Sequence, residues 1–285
     1  GMRLIRNWSN LSIKWAFVLL IMLVIPVWYT CSRTNSEAEN EPVYSYEIAA
    51  VYPHDPSAFT QGLVYYNGFL YEGTGLHGAS SLRQVRLDDG LIIKGLLLPE
   101  QYFGEGITIV DNRIIQLTWK EYTGFVYDLD SFTQLEQFTY PTEGWGLTFD
   151  GQYLIMSDGT STLTFLDPKD YSQVKQIAVT SKTGPIEHLN ELEYIDGVIY
   201  ANIWQSDQVV LINPKNGDVI GWIDFSDLRS HLNAEHQIDV LNGIAFNPDT
   251  GQLLITGKLW PSIFAVEIGE RPIIIKSKSD EPERS

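Results

Sequence analysis

Cysteine is almost absent from this 285-residue chain. The single one, Cys31, excludes an intrachain disulfide, so the folded part has to be stable through its core alone. Positive charge is scarce as well, with 19 Lys and Arg against 36 Asp and Glu. Three of the basic residues, Arg3, Arg6 and Lys14, lie in the first 30 positions, which hold no acid, so the remainder carries a net charge of −20. A body this acidic repels phosphate backbones, which excludes nucleic acid as a partner class. The five histidines (His54, His77, His188, His231, His236) show no zinc-ligand spacing, and His231 and His236 sit in a polar insertion, HLNAEHQ, that reads as surface. No phosphate loop and no serine nucleophile elbow occurs.

Long hydrophobic runs are also missing. The longest, Trp15–Tyr29, falls short of the roughly 20 residues of a full membrane span and suits a signal h-region or a marginal anchor. Its basic flank would stay in the cytoplasm and send the rest of the chain outward. Cys31 follows directly, so a lipidated cysteine and an uncleaved anchor both fit. The expected location is therefore the cell envelope, on its exported side (periplasmic or extracellular), with the chain tethered by its N-terminus. The resulting division is a signal or anchor segment at 1–31, a linker at 32–43, a folded domain at 44–268 and a tail at 269–285.

Aromatics are plentiful, with 8 Trp, 15 Tyr and 12 Phe, and with 23 Gly and 13 Pro they favour short strands joined by tight turns. A unit recurs five times, beginning at FTQGLVYY, FGEGITIV, EGWGLTF, LNELEYI and LNGIAF, with anchors at Gly62, Gly106, Gly146, Glu191 and Gly243. Hairpin signals at Asn67-Gly68, Asp111-Asn112, Asp150-Gly151 and Asp196-Gly197 separate two apolar strands in each of the first four copies, and a third and fourth strand follow. Four strands in each unit of about 45 residues is the signature of a propeller blade, so the fold class is all-β, a five-bladed β-propeller. The last copy lacks a clear fourth strand. YSYEIAAVY (44–52), ahead of the first copy, is expected to close the ring in preference to PIIIKS (272–277).

The repeat also identifies equivalent positions at the channel mouth. Gln61, Glu105, Trp145, Asn190 and Asn242 immediately precede the five anchors, and Trp119 and Trp204 lie fourteen residues beyond two of them. Lys258 takes the matching place in the fifth copy. Any one of these has an ordinary explanation: carboxamides at strand entrances commonly satisfy backbone groups, and Trp in sheets is commonly core. Together they gather one carboxylate, three carboxamides, one ammonium and three indoles, which suits a small planar polar substrate. A lone carboxylate among indoles is desolvated, and its pKa rises toward the range useful for proton transfer.

The motifs FTQGL, FGEGIT, QLTWK, GWGLT, LNELE, NIW, LNGIA and TGKLW, in order over residues 44–268, resemble the plant-type and bacterial glutaminyl-peptide cyclotransferases, the papaya-enzyme family. The resemblance implies a five-bladed propeller enzyme, an acyltransferase that converts N-terminal glutamine of peptides or proteins to pyroglutamate. It implies Glu105 as general acid/base, with Lys258 and Asn190 also catalytic, and Phe59, Gln61, Trp119, Trp145 and Trp204 binding substrate. Asn242 joins the binding set through the repeat. It further implies catalysis without a metal cofactor and room for a structural calcium with unassigned ligands. A monomer is expected. The alternatives are a non-catalytic propeller that binds peptide or glycan, and a metal-dependent lactonase-type propeller. The latter needs convergent carboxylates, where this mouth has one.

Overall fold

The computed structural model describes residues 40–273, with side chains through 270. The anchor segment, Cys31, most of the linker and the end of the tail lie outside the described residues. The fold is all-β; the one helical element among the described residues is a single 3-10 turn at Leu228–His231, inside the 225–240 insertion. Among the described residues no helix is long and apolar enough to cross a membrane. His231 and His236 of the insertion are exposed, and His236 contacts the Leu259 carbonyl through Nε2 at 2.7 Å.

Strand β1 (Val43–Pro53) opens the domain. Three antiparallel four-stranded sheets follow. The first holds β2 (Thr60–Tyr66), β3 (Phe69–Thr74), β4 (Ser81–Val85) and β5 (Ile92–Leu97). The second holds β6 (Gly104–Val110), β7 (Arg113–Thr118), β8 (Thr123–Asp128) and β9 (Gln134–Thr139). The third holds β10 (Leu147–Phe149), β11 (Leu154–Ser157), β12 (Thr162–Leu166) and β13 (Gln173–Ala178). A short ribbon, β14 (Thr180–Ser181) with β15 (Gly184–Pro185), comes next. The fourth and fifth sequence copies share one eight-stranded sheet. One half is β16 (Leu189–Ile195), β17 (Val198–Ile203), β18 (Gln208–Ile212) and β19 (Val219–Asp224). The other is β20 (Leu241–Asn247), β21 (Gln252–Gly257) and β22 (Ser262–Ile273), with β1 outermost.

The two halves merge because the first residues of β1, Val43 and Tyr44, pair in parallel with Trp222 and Ile223 of β19. The rest of β1 runs antiparallel to β22, from Tyr46 opposite Ile268 to Pro53 opposite Ser262. The N-terminal strand thus supplies the missing fourth strand. Pro272 and Ile273 only extend β22 along it, opposite Tyr44 and Val43.

The strand order follows from burial. First strands are mostly buried on both faces, whereas outer strands such as β9 and β13 are exposed at most positions. The apolar core divides into five clusters, each between neighbouring groups of strands. Leu82 with Ile107 and Phe125 joins the first sheet to the second. Ala245 and Leu254 with Leu63 and Leu70 bring the last strands back to the first. The first strands β2, β6, β10, β16 and β20 contact one another in a closed cycle. That cycle is tight enough to require glycine: a Cβ on Gly106 would lie 2.6 Å from Leu147 N, and one on Gly146 only 1.9 Å from Asn190 O. Glu191 departs from the pattern. Its buried carboxylate reaches across the cycle, accepting Ile244 N–H at 2.8 Å and Leu63 N–H at 3.4 Å.

Candidate active site

At four of the five strand entrances the ladder is interrupted at the residue singled out by the repeat. Pairing skips from Thr60 to Gly62, from Gly104 to Ile107, from Leu189 to Leu192 and from Leu241 to Ile244. Such an irregularity frees a side chain from the sheet face and re-aims it. The freed residues are Gln61, Glu105, Asn190 and Asn242, all buried. Trp145, the fifth, lies just ahead of β10, and its carbonyl accepts Gly106 N–H at 2.7 Å, directly beside Glu105.

Gln61, Glu105 and Asn242 form one buried polar cluster. Gln61 Nε2 donates to Glu105 Oε1 at 3.3 Å, and Asn242 Nδ2 donates to Thr60 O at 3.0 Å and to Gln61 Oε1 at 3.4 Å. The Oδ1 atoms of Asn190 and Asn242 are buried with no protein partner, so two acceptors stand open at the strand entrances. Glu105 is only 4% exposed. Burial pushes its carboxyl well above the usual carboxylate range; Lys258 pulls it back, and Glu121 and Glu143 push it further up. Burial holds the Lys258 ammonium below its usual range, against the attraction of Glu105 and Asp239. Lys258 Nζ lies 4.7 Å over the Phe59 ring.

The aromatic residues pack in two sets. Phe59 meets Phe103 edge-on at 6.1 Å, Phe103 meets Trp119 at 5.5 Å, and Trp145 meets Trp204 at right angles at 5.9 Å. Gly75 and Gly159, fourteen residues beyond Gln61 and Trp145 where the second and fourth copies carry Trp119 and Trp204, lie under rings: a Cβ there would strike Phe103 at 2.3 Å or Trp145 at 2.7 Å. Trp145 and Trp204 line an open pocket of about 490 Å³ with Glu143, Asp158, His188 and neighbouring residues. Trp119 and Trp145 do not offer their N–H groups to this space, because both donate to Glu143 Oε2, at 2.8 and 2.9 Å. These two indoles are walls rather than free donors.

The repeat pattern missed Glu143 and Phe103. Both lie two residues before an entry residue, the place held by Phe59, His188 and Val240 in the other copies. The signal that marks them in the sequence is this constant offset from the entry residues. The backbone shows the equivalence, since Phe59, Phe103, His188 and Val240 each accept the N–H of the residue that leaves the second strand. Among the described residues no group of three His, Cys, Asp or Glu side chains gathers in a metal-holding arrangement. The inner carboxylates Glu191 and Glu193 face backbone donors, and burial pushes Glu193 up to about 8.

A sequence-family model for glutamine cyclotransferase matches residues 21–268. The chain is 41% identical over 255 residues to a glutaminyl-peptide cyclotransferase from Arabidopsis thaliana, covering 88% of this chain and 79% of the plant protein. The crystal structure of Myxococcus xanthus glutaminyl cyclase superposes with a TM-score of 0.76 at 36% identity, covering 82% of this chain and 99% of the bacterial one. Repeat, buried carboxylate and relatives agree: the chain belongs to the glutamine cyclotransferase family.

Proposed function

We propose that this enzyme cyclises the N-terminal glutamine of peptides or proteins, releasing ammonia and leaving pyroglutamate, with Glu105 moving the proton. The observation that carries the assignment is the single carboxylate at the five strand entrances, buried and bonded to Gln61, in a chain of this family. The supporting architecture reads as a five-bladed propeller: four-strand units in sequence, five interfacial clusters and a closed cycle of first strands.

In the reaction the substrate's α-amine attacks its own γ-carboxamide carbon. A C–N bond forms, the amine loses a proton, and the original C–N bond breaks as the amide nitrogen leaves protonated as ammonia. An extended glutamine side chain keeps amine and carboxamide apart, so the site has to fold it. The indole walls do this and exclude water. Glu105, made more basic by its burial, takes the proton from the attacking amine and returns it to the leaving nitrogen. The open Asn190 Oδ1 accepts from the carboxamide N–H or the amine, and Asn242 holds Gln61 against Glu105. Lys258 stabilises charge on Glu105 and on the developing oxyanion. The reading extends to an exported, N-terminally tethered monomer that needs no metal for the chemical step.

Ammonia release from a Gln-Ala peptide, followed with and without chelator, tests the assignment. Turnover unchanged by chelator is expected. Binding without ammonia release would favour a recognition propeller, and activity abolished by chelator would favour metal-dependent chemistry.

A further inference from the structure

Glu143 is the one acid among the five positions two residues before the strand entrances; Phe59, Phe103, His188 and Val240 hold the others. Its Oε2 accepts both the Trp119 and the Trp145 indole N–H, at 2.8 and 2.9 Å. Its Oε1 lies 3.6 Å from Lys120 Nζ, an ammonium that also sits 4.1 Å over the Trp119 ring. Trp119 leaves the second sheet and Trp145 enters the third, so one carboxylate oxygen ties together indoles delivered by two sheets. The torsion that tilts an indole is broad, and each indole has a single donor. A charge-assisted bond to that donor is about twice as strong as a neutral one and settles the tilt. The Glu143 side chain is 33% exposed and lines the pocket, so it is no core pair. The Trp145 ring it holds stands at 88° to Trp204.

We infer that Glu143 is a positioning residue for cyclisation: its shared hydrogen bonds set the tilt of Trp119 and Trp145, and through them the folded form of the glutaminyl side chain. This rests on the glutamine-cyclising reading above. Glu143 contributes in a second way, since its charge helps raise the Glu105 carboxyl.

Two variants separate hydrogen bonding from charge. Glu143→Gln keeps one oxygen with two lone pairs, able to accept both indoles, but removes the charge. Glu143→Ala removes both. On a Gln-Ala peptide, kcat of Glu143→Ala is expected to fall about 100-fold with KM little changed, the scale of a small misplacement of reacting groups. Glu143→Gln is expected to retain most of kcat, with the acidic limb of its pH profile displaced to lower pH. The indole ¹H–¹⁵N cross-peaks of Trp119 and Trp145 should move in Glu143→Ala and move much less in Glu143→Gln. Wild-type kcat in Glu143→Ala, or equal losses in the two variants, would overturn the inference. A wild-type enzyme that releases no ammonia would instead overturn the cyclisation reading, while the cross-peaks would still report whether Glu143 holds the indoles.

Discussion

Buried charge in this domain is handled one residue at a time, and two carboxylates in the first and second sheets illustrate opposite solutions. Glu105 is left without a direct ion pair and its pKa rises, which would suit the proton transfer proposed for it. Glu72, equally buried, is paired: His54 Nε2 lies 2.8 Å from its Oε1, and Thr60 Oγ1 donates to the same oxygen at 2.8 Å. The other His54 nitrogen, Nδ1, faces the Trp260 carbonyl at 2.6 Å, so both ring nitrogens meet acceptors and the imidazolium is the form that satisfies them. Burial alone would lower the His54 pKa, but Glu72 outweighs it and the value rises above 6.5; burial alone would raise Glu72, but His54 holds it below 4.5. The His54 contribution to stability is therefore complete below 6.5 and lost as pH rises through the folded value. The Glu72 contribution is complete above 4.5 and lost as pH falls through its folded value. Glu72→Gln leaves a buried charge unpaired and should cost about 3–5 kcal/mol. Urea unfolding between pH 3 and 9 checks both effects, and the alkaline decline due to this pair should disappear in the variant.

At the scale of elements, the first strands approach so closely that sequence choice there is dictated by backbone. Gly146→Ala would place a methyl 1.9 Å from the Asn190 carbonyl. The expected cost is about 1–3 kcal/mol from overpacking, read as a drop in Tm. Activity should fall with it, because β16 carries Asn190 into the site. The repeat made this level legible. The anchors Gly62, Gly106 and Gly146 mark the close approaches, and the hairpins place positive φ at Asn67, Asp111, Gly151 and Asp196. The capture of β1 by β22 also follows from a fifth copy one strand short. Other features depend on tertiary contacts that no local pattern carries. The ladder interruptions at Gln61, Glu105, Asn190 and Asn242 arise where strands converge. Glu143 acquires its meaning only from two indoles that approach it from adjacent sheets. The fusion of the last two units through Val43 and Tyr44 reflects pairing of residues nearly 180 positions apart.

Across the whole molecule, the acidic excess creates a field felt by charged ligands. Peptides whose free amine and side chains are cationic should be drawn toward the mouth, where Glu121, Glu143 and Asp158 lie. Added salt shortens the Debye length to about 3 Å at 1 M. The kcat/KM for lysine-rich Gln-initiated peptides should accordingly fall several-fold at high salt while kcat holds, and a neutral Gln-Ala peptide should respond less. Steady-state kinetics over a salt series measures this. The same convergence of units that gathers acids at the rim places only one, Glu105, at the strand entrances, opposite Gln61, Trp145, Asn190 and Asn242. No other group matters as much to the proposed proton transfer, and Glu105→Gln, which keeps the shape and removes the base, tests it most directly. Ammonia release from Gln-Ala by a folded Glu105→Gln protein with unchanged Tm is predicted to fall at least about 100-fold. Turnover close to that of the wild type would contradict it.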